Sequence, residues 1–139
     1  SSSSLYGEGA KAALHSWEKA LCILANNRKE WKNLAIKQLG DDLWERNRDV
    51  FGAHLCYMLA CYELEPFTEM SKVCLVGANH LNSLHCSYVG SKHIQLSEVY
   101  EWIITQHKPD YVSFAFQPYK LLYAFQLLDM GDAAGSAKY

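Results

Sequence analysis

Between Ser71 and Cys86 the chain reads SKVCLVGANHLNSLHC, which places Cys74, His80, His85 and Cys86 within sixteen residues. Thiolates and imidazoles are the ligand types of a tetrahedral zinc site. The spacing is wrong for one: there is no Cys-x-x-Cys pair, and the adjacent His85 and Cys86 are badly placed to reach a single ion. Gly77 follows the apolar run VCLV, but a phosphate-cradling loop needs a second glycine followed by Lys and Ser or Thr, and a dinucleotide turn needs three spaced glycines. The stretch reads instead as a joint, with Cys74 buried on an apolar face, Val73, Leu75 and Val76 as packing positions and His80 hydrogen-bonded within a turn. No metal and no cofactor is expected.

Nucleophilic catalysis needs a thiol or hydroxyl, a base in reach and an orienting group. His54 and Cys56 are two residues apart, so a helix points them to different faces. The adjacent Asp41 and Asp42 share that defect and read as a solvated edge. With no nucleophile, base and oxyanion donor in one constellation, the sequence predicts a protein that is not an enzyme.

The elements that carry these residues are helical. Apolar residues recur at three- and four-residue steps from Ala10 to Ala25, and again through Trp31, Leu34, Ala35, Leu39, Leu43 and Trp44 over Lys29 to Arg46, with the turn NNR between. The second run keeps its period across Gly40, at a cost of about 1 kcal/mol against Ala, which marks a close helix approach. Asp49 is placed to cap a helix over Val50 to Tyr62 that is apolar nearly all round. Thr68 to Val76 reads as a helix closed by a left-handed Gly77. Ser91 or Lys92 opens a helix that must end before Pro109. Pro118 suits a first helical turn, Gly131 ends the run from Tyr119 to Met130, and Asp132 caps one more helix through AAGSAKY, cut off at Tyr139. The result is all-α, six or seven helices in an irregular stack of antiparallel hairpins, an α-solenoid fragment.

Bulk properties narrow the function. Of 139 residues half are apolar, and 13 basic against 15 acidic residues leave a formal charge of −2 with no basic stripe. Nucleic acid and anionic membrane surfaces, which need clustered Lys and Arg, are poor partners for it. No run approaches the ~20 apolar residues of a spanning helix. Five cysteines, an odd number without regular spacing, point to a reducing compartment. Residues 1–9, opening on four serines, read as a flexible linker, and 10–139 as a single helical domain cut from something longer. The aromatics Tyr111, Phe114, Phe116, Tyr119, Tyr123 and Phe125 crowd one region, expected mainly as core, with any exposed rings available to a partner.

Six blocks carry a resemblance. WEKALCILANN from Trp17, LGDDLW from Leu39, AHLCYMLA from Ala53, VCLVGANH from Val73, IQLSEVYEW from Ile94 and QPYKLLYAFQLLDMG from Gln117 resemble, in order and spacing, the conserved central domain of the Sec-sixteen family. These are scaffold proteins of endoplasmic reticulum exit sites, where coat protein complex II assembles. The matching signature positions are Gly40, Asp41, Ala53, His54, Cys56, Tyr57, Gly77, Asn79, His80, Gln95, Glu98, Tyr100, Tyr123 and Gly131. His93 and Leu96 stand where the family favours Ala and Arg, and NSLHCSYVGS departs from its Ser-Leu-Pro-Phe turn.

The resemblance implies an ancestral coatomer element without catalytic activity, a fragment of a larger domain that continues past the C-terminus. It implies protein partners on the cytoplasmic face of the exit site: the propeller Sec-thirteen, bound through a strand ahead of the helices that this chain lacks before Leu5, other coat proteins, and a second copy as a homodimer. The alternatives are a helical-repeat module of another coat or nuclear-pore subunit, and a small metal- or thiol-dependent enzyme.

Overall fold

A computed structural model describes residues 16–82 and 90–139. The expected linker at 1–9, the first turns of the opening helix, His85 and Cys86 lie outside the described residues. Six α-helices are present among those described: α1 (Trp17–Ala25), α2 (Lys32–Asp42), α3 (Val50–Leu59), α4 (Ser91–His107), α5 (Gln117–Asp129) and α6 (Ala133–Ser136). The described residues contain no strand, and the all-α expectation holds. Contacts divide the chain into two compact units, Ser1–Tyr62 and Glu63–Tyr139.

In the first unit α2 runs on through a single π turn, Leu43–Asn47, that ends on Arg48 in the left-handed region at φ 54°. Asp49 then caps α3, its carboxylate accepting from the Gly52 amide at 2.9 Å, as its place before an apolar run predicts. Helices α2 and α3 run antiparallel. Trp44 stacks on His54, Asp41 bonds Tyr57 and Lys37 lies over Tyr62, so one member of each pair advances as the other retreats.

Gly40 sits in the seam between these two helices. A Cβ there would lie 2.9 Å from Cε1 of Tyr57 and 3.0 Å from Cβ of Cys56, so the close approach expected of a mid-helix glycine is real. The buried stripe of the segment is consequently Ile36, Gly40 and Leu43. Trp31 and Leu34, expected on the inner face, are exposed, because the seam is centred on Gly40.

Helix α3 also differs from expectation. It stops at Leu59, three residues early, where the Tyr62 amide reaches back to the Tyr57 carbonyl at 2.9 Å and the Cys61 amide to Met58 at 3.0 Å. That double bond is a Schellman ending, with Cys61 in the left-handed position at φ 55°. Nor is α3 buried on most sides: Gly52, Ala53, His54, Cys56 and Tyr57 face inward while Phe51, Leu55 and Leu59 form an exposed apolar stripe.

The second unit begins with a correction. No helix forms over 68–76; the segment from 63 to 82 is irregular, with isolated turns. Its side chains capture the backbone groups a helix would have used. Ser71 donates its hydroxyl to the Pro66 carbonyl at 2.6 Å, and Glu65 accepts from the Lys72 amide at 2.6 Å, the competition that disfavours Ser in helix interiors. Gly77 does take a positive φ, 79°, but in a turn of this loop and not at a helix end.

Helices α4 and α5 follow the local signals, and α6 starts where expected but ends at Ser136 instead of running to Tyr139. Pro118 sits in the first turn of α5, and Gly131 ends it at φ 81° with the same Schellman pair of bonds, its amide to Leu128 at 2.9 Å and that of Asp132 to Leu127 at 2.8 Å. Asp132 caps α6 through the Gly135 amide at 2.7 Å. Gln95 meets Tyr123, and Glu101 pairs with Lys120, so α4 and α5 also run antiparallel.

Candidate functional site

The first cluster of signature positions is the α2–α3 seam. Asp41 is not the solvated edge expected of it. Its carboxylate is largely buried, accepting from the Tyr57 hydroxyl at 2.8 Å and from the Lys37 ammonium at 3.2 Å. Asp42, the outer member of the pair, meets Arg46 at 3.7 Å. Burial pushes the Tyr57 phenol well above the usual tyrosine range, and the hydrogen bond to Asp41 and that residue's charge add to it. The Lys37 ammonium lies 5.8 Å above the Tyr62 ring, which is itself 5.6 Å from the Tyr57 ring. The i, i+4 spacing of Lys37 and Asp41 was a visible signal for this pair; the distant Tyr57 had none.

His54 and Cys56 are both buried. His54 is buried and stacks on Trp44 at 5.9 Å and 11°. The Cys56 thiol, fully buried, is pushed up to about 11 by that burial first and by the Asp49 charge second, so it stays protonated at neutral pH. Ala53, with no exposed surface, completes the seam.

The second cluster surrounds α4. The Ser97 hydroxyl is entirely buried; it accepts from the Val76 amide at 2.9 Å and donates to the His93 carbonyl at 2.7 Å. His93 Nδ1 lies 3.2 Å from the Val76 carbonyl. Two side chains one turn apart thus satisfy both polar groups of one loop residue, a device sequence reasoning missed. Asn79 accepts from the Leu81 amide at 3.1 Å, bending the chain locally. His80 is buried with its ring edge-on to Phe67 at 5.9 Å, and burial holds its pKa below the usual histidine value against the opposing charge of Glu65. Cys74 is buried as expected, and burial raises its pKa.

Gln95 donates to the Tyr123 hydroxyl at 2.9 Å. The Tyr139 ring stands edge-on to Tyr123 at 5.0 Å, and its phenol is raised first by burial and then by its hydrogen bond to Glu98. Tyr100 is buried. Glu101 holds the Ser113 amide at 3.1 Å and pairs with Lys120, which lies over the Phe116 ring at 5.3 Å. Among the crowded aromatics Phe116 and Tyr123 are core, Tyr111 and Tyr119 half-buried, while Phe114 and Phe125 are exposed.

The residues expected as signature positions lie largely in two packing clusters. Among the described residues no group of His, Cys, Asp or Glu is arranged to hold a metal ion, and Cys22, Cys56, Cys61 and Cys74 are free thiols. No described helix is long and apolar enough to cross a membrane. What the molecule does present is apolar surface: the α3 stripe, Val99 and Trp102 on α4, and Leu121, Phe125 and Leu128 on α5.

A family model described as the Sec16 Sec23-binding domain matches residues 3–139. The chain is 35% identical over 130 residues to an Arabidopsis thaliana protein named protein transport protein SEC16A homolog, covering 94% of this chain and 10% of that one. It is 30% identical over 127 residues to the rat protein transport protein Sec16B, covering 88% of this chain and 12% of the relative. A Phaeosphaeria nodorum protein named COPII coat assembly protein SEC16 is 28% identical over 143 residues, covering 95% of this chain and 8% of its own length. The chain thus spans about a tenth of the length of the curated relatives it matches. No solved structure gives a significant match.

Proposed function

The chain belongs to the Sec-sixteen family, and we propose that it is a scaffold segment that binds coat proteins during coat protein complex II assembly at endoplasmic reticulum exit sites, without catalysing a reaction. The observation that carries this reading is the family match across nearly the whole chain, whose description names Sec23 as the partner. The sequence-based expectation named Sec-thirteen and other coat proteins without specifying Sec23, which is now the first partner to test.

The physical character of the molecule supports the reading. The residues expected as signature positions lie largely in helix seams and against one irregular loop, and part of its exposed apolar surface lies along helix faces. Surfaces of that kind suit protein contacts, in which a few aromatic and aliphatic anchors supply most of the affinity. We further read the two antiparallel hairpins as members of an α-solenoid within a larger central domain, and place the protein at the cytoplasmic face of the exit site. Sec-thirteen binding and self-association are the finer parts of the proposal.

Purified chain, shown to be folded by circular dichroism, is incubated with immobilised Sec23 and, separately, with Sec-thirteen. Retention on Sec23 is expected. Failure of folded chain to be retained at micromolar concentration overturns the Sec23 part. Sec-thirteen is tested again with a chain extended toward the N-terminus, and failure of the extended chain overturns that part alone. Light scattering over a concentration series decides self-association.

A further inference from the structure

We draw no further inference here: the strongest candidate, the uncharged stripe of Phe51, Leu55 and Leu59 along α3, exposed at 59%, 40% and 44%, carries nothing because nothing in the structure shows what covers it.

Discussion

The α2–α3 seam and the loop on α4 solve opposite problems. In the seam two regular helices have satisfied their own backbones, and what brings them together is an absence, the missing Cβ of Gly40 beneath Tyr57 and Cys56. The loop at 63–82 has no regular hydrogen bonding of its own, and what holds it is a presence: Ser97 and His93 reaching out to Val76, with Glu65 and Ser71 bonding inside the loop. One region is specified by shape, the other by polar satisfaction. The first should respond most to added volume and the second to a lost hydroxyl.

The largest expected effect tests the shape side. Gly40→Val drives a branched side chain into the Tyr57 ring, and the overpacking cost of about 3 kcal/mol outweighs the few tenths gained from relieving a mid-helix glycine. Chemical denaturation should show it as a lower midpoint; an unchanged midpoint would mean that α2 and α3 are not in close contact. Next comes the polar side: Ser97→Ala leaves the Val76 amide buried without its acceptor, at about 2 kcal/mol. Hydrogen exchange should quicken at Val76 and its loop neighbours, and exchange at the wild-type rate would mean that the Ser97 hydroxyl does not hold the loop.

A smaller effect compares the two Schellman endings, which are alike in hydrogen bonding and differ in residue. Cys61 holds the left-handed position with a side chain and Gly131 without one. Cys61→Gly should therefore stabilise by about 1 kcal/mol, and Gly131→Ala should destabilise by a similar amount, measured as opposite shifts in thermal midpoint.

The last effects are set by pH. His80 has a folded pKa below its unfolded value near 6.5, so its neutral form contributes stability that is present above that pH and lost as pH falls through the folded value. Cys56, raised to about 11 from 9.0, contributes stability that is present below pH 9 and lost as pH rises toward 11. The protection factors of the 63–82 loop amides, exchange corrected for its intrinsic pH dependence, should fall below pH 6.5 in the wild type and stay flat in His80→Gln. If the variant keeps the wild-type slope, the acid sensitivity belongs to another group.

Much of the fold was legible in the sequence. Gly131, Asp132 and Asp49 act through one or two hydrogen bonds to residues within five positions, Pro118 acts through its fixed φ and missing N–H, and each does what its local context predicts. Gly40 was also legible as a close approach, though its partner was not. The misses share a cause. Thr68 to Val76 has helix-like signals at both ends, yet Glu65 and Ser71 divert the backbone, a competition that a window on apolar periodicity does not register. The inner face of α2 was misplaced because Leu34 and Ile36 are equally apolar, and only the position of α3 decides between them. Asp41 was read as an edge because the residue that buries it, Tyr57, lies sixteen positions away.

The sequence by itself determined that the chain is helical, where most helices stop, and which family it belongs to, because caps, glycines and block order act locally or are matched position by position. Tertiary structure decided which face of each helix is inside, that the Asp41 carboxylate is largely covered and His80 buried, and that 63–82 is a loop held by α4. Those outcomes depend on which groups arrive from distant parts of the chain to exclude water or accept a proton, and no local pattern encodes that arrival.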